Sequence, residues 1–345
     1  MSSPYWDIKK TLSYNCLFNF IVGSRGVGKT YGSLKYCIEM FIKNKAQGKN
    51  WQFMYVRRLN TELDKLTKSR GGRLFNAVKQ EFPEHTFKAE SNVLYCDKEI
   101  IGYAQPLSTA SILKSDAFPD VQMIIFDEFI IDNSGTYHYL KDEVRKFLDL
   151  YETVARGRDV KVFFLSNAVS ISNPYFDYFH LNKPYNGNFQ RFGKAKEILV
   201  ENAVNPELIK MKQESRFGKI LEGSEYSEYA YENKWLLDNF DFIEKKKQKC
   251  IYYMTLRFKG ENLGIWYDVD DMIFYLSNDV DLQCPDKYSV TTDDHQPNIM
   301  LLKMAIKQSS ALKYIIQAYT YGAFRYESIQ LKNKFREIMQ LVASY

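Results

Sequence analysis

The eight residues GSRGVGKT, Gly23 to Thr30, constrain this chain more than any other stretch of it. They satisfy the full phosphate-loop pattern G-x-x-x-x-G-K-[ST]. Ahead of them Phe18, Phe20, Ile21 and Val22 read as a buried strand, and behind them Tyr31, Leu34, Ile38 and Phe41 recur at helical spacing. A strand, a glycine loop and a helix in that order commit the fold to an α/β sheet. The glycines let the backbone wrap an anion, and the new helix adds unpaired N–H groups and the positive end of its dipole. Gly23, Ser24, Arg25, Gly26, Val27, Gly28, Lys29 and Thr30 are therefore expected to hold nucleotide phosphates, with Lys29 reaching the β- and γ-phosphates and Thr30 holding Mg²⁺.

The later segments fit such a sheet. WQFMYVRR (51–58), VQMIIFDEF (121–129) and VKVFFLSNAV (160–169) are near-continuous apolar runs. Between them lie an amphipathic segment through Leu74, Phe75, Val78 and Phe82 and a helix carrying Val144, Phe147, Leu148, Tyr151 and Val154. Apolar strands separated by helices are what a parallel sheet covered on both faces requires. A hairpin is predicted over 86–107, turning near Asp97-Lys98. Residues 1–200 thus read as one P-loop ATPase domain with a parallel-core sheet. Residues 201–227 are polar, broken by Pro206, Gly218 and Gly223, and carry Lys210, Lys212, Arg216 and Lys219; they read as a short linker subdomain. Residues 228–345 read as an α+β domain. Its strands at 250–258, 263–269 and 272–277 form an antiparallel meander, followed by two helices. One helix passes through Ile299, Leu302, Ile306, Tyr314 and Ile315, the other through Leu331, Phe335, Ile338 and Val342.

A second nucleotide signature stands at 123–128, an apolar strand ending in Asp127-Glu128. Neighbouring strand residues face opposite ways, so the two acids can do different work. Asp127 is expected behind Mg²⁺ and Glu128 to orient and polarise the attacking water. The adjacent Glu, and the absence of the guanine-reading N-K-x-D, favour ATP hydrolysis over GTP signalling. Ser166-Asn167 end the strand VKVFFL, where Asn167 is placed to sense the γ-phosphate or to cap a strand. Arg156 and Arg158 follow the apolar helix, either as a finger into a neighbouring subunit's site or as solvated cations at a helix C-terminus.

Composition adds bounds. The 345 residues suit about two domains, and 26 tyrosines and 24 phenylalanines supply cores. No apolar run approaches the length of a membrane span, and the start MSSPYWDIKK has no signal-peptide character, so a soluble intracellular protein without a membrane partner is expected. The five cysteines never fall in a C-x-x-C pattern, which indicates reduced core thiols, and the net charge of +5 permits a polyanionic partner without demanding one.

The order FNFIVGSRGVGKTYG, FMYVRR, EFPEH, AFPDVQMIIFDEFI, TVARGRDVKVFFLSNAVSISNPYF, SRFGKILEGSEYSE and YSVTTDD resembles the DNA-packaging motor ATPases of small podophages, the phi-twenty-nine-like group. That group is similar to large terminases and to the FtsK and HerA translocases. The resemblance implies an additional-strand ATPase in a ring, expected to be of five subunits. Such a ring sits at the portal vertex of a prohead in the host cytoplasm, drives double-stranded DNA inward with ATP, and is joined to the capsid by a structural packaging RNA. It also implies that Arg156 is the trans-acting finger, Asn167 the sensor and Lys114 a basic residue acting across the subunit interface. Arg57 and Arg58 would be the arginine pair near the nucleotide, with the one that faces it left open. The C-terminal domain would be ribonuclease-H-like, a vestigial nuclease, since CIYYMTLRF lacks the first metal-binding acid. A cellular FtsK or HerA-type translocase and an ATP-dependent DNA clamp are the alternatives.

Overall fold

The computed structural model describes residues 5–68, 73–131, 139–167, 173–182, 184, 187–221 and 242–343. The chain divides into two compact units, Met1–Leu237 and Asp238–Tyr345.

Among the described residues, the first unit is built on nine strands: β1 (Phe18–Gly23), β2 (Gln52–Arg57), β3 (Phe87–Glu90), β4 (Val93–Cys96), β5 (Glu99–Pro106), β6 (Val121–Asp127), β7 (Lys161–Asn167), β8 (Phe189–Phe192) and β9 (Ile198–Ala203). They lie in the order β3-β4-β5-β2-β6-β7-β1-β9-β8. The six strands from β5 to β9 in that order run parallel, and β3, β4 and β8 add antiparallel edges. β7 is inserted between the phosphate-loop strand β1 and the acidic strand β6.

The period of two along each strand sorts the residues. One face of β6 carries Met123, Ile125 and Asp127, and it is covered by helix α2 (Lys29–Lys45) through Leu34, Cys37, Ile38 and Phe41. The short helices α1 (Ile8–Leu12) and α3 (Asn60–Thr67) complete the first turns of this unit. The opposite face carries Phe126 on β6, Phe164 on β7 and Phe20 on β1, packed against Phe147 of α4 (Glu143–Ala155) and Tyr175 of α5 (Pro174–Phe179). Phe164 is central to this aromatic cluster: its ring stacks on Phe20 at 4.1 Å and lies 4.7 Å from Phe147 and 5.5 Å from Tyr175. The segment read as a linker joins this unit. Its first residues finish β9, and Pro206–Glu214 and Arg216–Leu221 form helices α6 and α7.

Some expectations need correction. The amphipathic segment at 74–82 is a series of turns with a 3-10 turn at Lys79–Glu81, and it buries Leu74, Phe75, Val78 and Phe82. The 86–107 hairpin is three strands. Asp97 and Lys98, at φ 50° and 70°, make the expected turn, and Ser91 at φ 55° makes a second one.

The second unit is a six-stranded sheet among its described residues: β10 (Ile251–Phe258), β11 (Glu261–Asp268), β12 (Ile273–Ser277), β13 (Lys287–Ser289), β14 (Met300–Leu301) and β15 (Phe324–Tyr326), ordered β14-β13-β10-β11-β12-β15. The β10-β11-β12 meander is antiparallel, and β13 runs parallel to β10 on its other side, as a ribonuclease-H-like sheet requires. The first C-terminal helix is interrupted. Helix α8 (Leu302–Gln308) stops at Ser309, whose hydroxyl accepts from Leu312 N and starts α9 (Ser310–Thr320); α10 (Ile329–Ala343) comes last. Phe274, Phe324 and Phe335 form the centre of this core.

Removing the Phe164 ring should leave a cavity that the surrounding rings cannot collapse into. Phe164→Ala is expected to destabilise the first unit by about 3–5 kcal/mol, read from its denaturant unfolding midpoint.

Candidate nucleotide site

The parallel strands deliver their C-terminal ends to one edge of the sheet, and the site forms there. Gly26 and Gly28 hold φ of 77° and 90°, a region that side chains strain to enter, so the loop between β1 and α2 needs glycine at both positions. Gly28 then caps α2, and Lys29 and Thr30 begin it. The Lys29 ammonium, 8% exposed, donates to Gly23 O and Ser24 O at 3.1 Å each and to Asn167 Oδ1 at 3.4 Å. Burial lowers its pKa to about 8, with Asp127 opposing the shift and Lys212 adding to it. An ammonium stripped of water in this way is stabilised by a bound anion.

Asp127 ends β6 on the α2 side of the sheet, where it meets four groups. Its Oδ2 accepts from Thr30 Oγ1 at 3.0 Å and from Tyr55 OH at 2.7 Å, Arg57 Nη1 stands 3.7 Å from Oδ2, and Glu128 N donates to Oδ1 at 3.1 Å. Tyr55 and Arg57 reach it because they share a face of β2, whose Tyr55 is in register with Ile125. Burial and the Asp127 charge push the Tyr55 hydroxyl pKa well up, so it remains a donor. Glu128 sits at φ 58°, in the left-handed region, with its side chain 61% exposed and its Oε2 2.9 Å from Arg57 Nη2. Gly26, Gly28, Lys29, Thr30, Asp127, Glu128 and Asn167 line one cavity of about 220 Å³.

The residues present fit a nucleotide with Mg²⁺. Ser24 Oγ in the loop and Arg57 Nε beside the acids are buried with no hydrogen-bond partner among the described residues, and the Thr30 hydroxyl and Asp127 carboxylate are the hard oxygen donors that Mg²⁺ takes. Val27 is buried, and its carbonyl accepts from Trp6 N at 2.9 Å.

Other expected residues lie elsewhere. Arg58 does not face the cavity: it is 3% exposed, forms a bidentate pair with Glu143 at 2.8 and 2.9 Å, and donates to the carbonyls of Glu128 and Phe129 at 3.1 and 2.8 Å. It sits one residue past the strand and turns to the other face, where it holds the loop that carries Glu128. Arg156 lies at the C-terminus of α4, exposed, with Nη2 donating to Asp116 O at 2.6 Å. Residues 116 and 156 precede β6 and β7, so Arg156 is at the edge where the parallel strands begin and the cavity is where they end. The sheet separates Arg156 from its own subunit's cavity. Arg158 uses all five donors of its guanidinium on the carbonyls of Phe118, Pro119, Val121, Val154 and Ala155. Lys114 lies in the 3-10 helix Leu107–Ser115, and its side chain is outside the described residues.

Sequence reasoning missed Tyr55, Glu143, Glu201 and Lys212. Tyr55 is two residues before Arg57 and shares its face, a signal legible only once β2 is known to neighbour β6. Glu201 on β9 is 5% exposed and accepts from Trp6 Nε1 at 2.8 Å and Thr11 Oγ1 at 2.5 Å, tying the N-terminal segment beside the phosphate loop.

A phosphate loop, a strand-end Asp-Glu pair and a polar residue on a strand inserted between them define the class: a P-loop ATPase site of the additional-strand type. Residues 1–342 match the family of the podovirus DNA encapsidation protein (Gp16). The chain is 37% identical to the DNA packaging protein of Bacillus phage B103 over 320 residues, covering 92% of this chain and 94% of that protein. It is 34% identical to the DNA packaging protein of Bacillus phage phi29 over 339 residues, 98% of each. The fold superposes on the bacteriophage Phi-29 viral genome packaging motor assembly with a TM-score of 0.77 at 33% identity, covering 99% of this chain and 100% of that one. The N-terminal domain of the DNA packaging ATPase from bacteriophage phi29 matches with a TM-score of 0.52 at 38% identity, covering 59% of this chain and 99% of that domain. This chain belongs to the podovirus DNA encapsidation protein family.

Burial raises the Glu201 pKa to about 7, while its bonds from Thr11 and Trp6 act against the rise. Below the ordinary carboxylate pKa of about 4.3 both folded and unfolded chains keep the proton. Between there and about 7 the unfolded chain releases it first, so stability falls as pH rises, and the loss is complete above about 7. Glu201→Gln is expected to shrink the difference in urea midpoint between about pH 5 and about pH 7.5 relative to wild type.

Proposed function

We propose that this chain is an ATP-hydrolysing motor subunit that drives double-stranded viral DNA into a prohead through its portal. The convergence of Lys29, Thr30, Asp127, Glu128 and Asn167 on one cavity carries the reading. Family membership supports packaging over a cellular translocase, and the presence of Glu128 beside Asp127 supports hydrolysis over a clamp that only binds ATP.

In this reading the loop N–H groups of residues 23–30 and the Lys29 ammonium hold the ATP phosphates. Thr30 and Asp127 would hold Mg²⁺, which neutralises phosphate charge when bound. Tyr55 fixes the Asp127 carboxylate, and Arg57 holds the exposed Glu128 carboxylate near the reacting end, where Glu128 polarises water. Asn167 reports on the terminal phosphate through its contact with Lys29. Arg156, on the far edge of the sheet, acts on a neighbour's site in a homo-oligomeric ring, expected to be a pentamer, and Lys114 is assigned to the same subunit interface. Arg58 takes a supporting role behind Glu128.

The ring works at the portal vertex of the prohead in the host cytoplasm, with the portal protein and a structural packaging RNA as further partners. No helix among the described residues is long and apolar enough to cross a membrane. The second unit is proposed to hold nucleic acid without cutting it. β10 carries no acidic residue, and the carboxylate of Asp268 at the end of β11 is paired with Lys247 at 3.2 Å and Lys249 at 3.5 Å, which supports holding over cutting. DNA contact is expected to rest on phosphates, since a motor must grip every sequence equally.

Two experiments test this. Lys29→Ala should weaken ATP binding, whereas Glu128→Gln should bind ATP yet turn over about 10²- to 10⁴-fold more slowly and leave no nuclease-protected DNA in proheads. Near-normal turnover by Glu128→Gln would sink the assignment.

Arg156→Ala should lower ring ATPase activity by about 10³- to 10⁵-fold and be partly rescued by mixing with Glu128→Gln subunits, because each supplies what the other lacks. Full activity of isolated wild-type monomers, or no rescue on mixing, would argue for a surface cation.

A further inference from the structure

The phosphate loop is met from outside by a second lysine, and that lysine belongs to the segment beyond the sheet. β9 ends at Ala203, in register with Gly23 at the start of the loop. Two residues on, the Asn205 side chain accepts from Glu207 N at 2.9 Å and Leu208 N at 3.1 Å, with Pro206 opening α6. This cap starts the helix immediately beside the loop. Leu208 is buried in the core of the first unit, and one helical turn later Lys212 is half-buried while Met211, Gln213 and Glu214 are exposed. The inner face of α6 thus delivers Lys212 to the loop. Its ammonium donates to Arg25 O, and a β-carbon at Gly26 would lie 3.2 Å from Lys212 Nζ.

Gly26 lines the same cavity as Glu128 and Asn167, so Lys212 meets the loop beside a cavity-lining residue. The backbone of α6 is also tied to α7: a β-carbon at Gly218 would collide with Lys212 O, so α7 is packed directly on the carbonyl of this residue.

We infer that Lys212 is a nucleotide-contacting residue, exchanging the Arg25 carbonyl for an oxygen of the terminal phosphate and so making the seating of α6 and α7 depend on whether that phosphate is present. The inference rests on the nucleotide reading of the cavity and adds a cation that the loop pattern does not contain. Burial and the nearby Arg25 charge lower the Lys212 pKa, and Lys212 in turn contributes to the lowered pKa of Lys29; the three cations Arg25, Lys29 and Lys212 favour a polyanion between them. Because α6 and α7 lead on in sequence to the second unit, a phosphate-dependent seating of these helices gives the ATPase cycle a mechanical output within the chain.

The test is titration of full-length protein with ADP and with ATPγS, a slowly hydrolysed triphosphate, for wild type, Lys212→Met, Lys212→Arg, Lys210→Ala and Lys29→Ala, each checked for folding by circular dichroism. Lys212→Met keeps the aliphatic stem and loses the charge; Lys212→Gln replaces it if the Met variant misfolds. Lys212→Met should lose about tenfold in affinity for ATPγS, equivalent to about 1.4 kcal/mol, and much less for ADP. Lys212→Arg should recover most of the loss. Lys210→Ala, on the exposed side of the same helix, should match wild type. ATPγS should slow amide exchange in residues 206–221 of wild type more than ADP does, and this difference should vanish in Lys212→Met. ATPγS affinity within about twofold of wild type in Lys212→Met, or equal losses for ADP and ATPγS, would overturn the inference while a loss in Lys29→Ala leaves the nucleotide reading standing. Undiminished binding in Lys29→Ala would overturn that reading itself.

Discussion

The carboxylate of Asp127 is the point on which the site depends. Thr30 from α2, Tyr55 from β2 and the backbone N–H of Glu128 all donate to it, and Arg57 stands against it. These groups come from α2, from β2 and from the residue that follows, so the contacts to one buried acid set the phosphate loop, the neighbouring strand and Glu128 relative to one another. A buried carboxylate without such partners would be expensive to keep charged. Here the partners are supplied by the site it organises.

Behind Asp127 a second buried pair does comparable work. Arg58 and Glu143 satisfy each other bidentately, Tyr175 OH and Leu140 N complete the Glu143 oxygens, and Arg58 holds the carbonyls of Glu128 and Phe129. The left-handed backbone of Glu128 is thereby held from its carbonyl side by Arg58 and from its side chain by Arg57. Two adjacent arginines on one strand end serve two faces of the same residue. The aromatic cluster around Phe164 fills the space below this pair, so the strained residue rests on a closely packed base.

The sheet order bears on the proposed role of Arg156 in a neighbouring subunit's site. Arg156 and the cavity occupy opposite edges of one sheet, and no rotamer of Arg156 closes a distance of several strand residues at about 3.3 Å each. The same edge holds the saturated Arg158, which locks the turn that presents Arg156. Of two arginines two residues apart, the fold spends one on its own backbone and leaves the other exposed.

The phosphate loop, the acidic strand end and Asn167 at the end of β7 were legible in the sequence because each is local: a loop pattern between a strand and a helix, or the last residues of an apolar run. The turn at Asp97-Lys98 and the β10-β12 meander were legible for the same reason. The missed elements depend on distance in the chain. β13, β14 and β15 are two or three residues long, too short to show a period, and exist because a neighbouring strand offers hydrogen bonds. The break at Ser309 interrupts an otherwise continuous apolar pattern, which hides it. By itself the sequence determined that a phosphate-loop pattern and an apolar strand ending in Asp127-Glu128 are present. Only the tertiary structure decided that Arg57 rather than Arg58 pairs with the acids Asp127 and Glu128, that Tyr55 braces Asp127, and that Lys212 reaches the loop. Those choices follow from strand order and register, which are set by packing among segments far apart in the chain and leave no local trace.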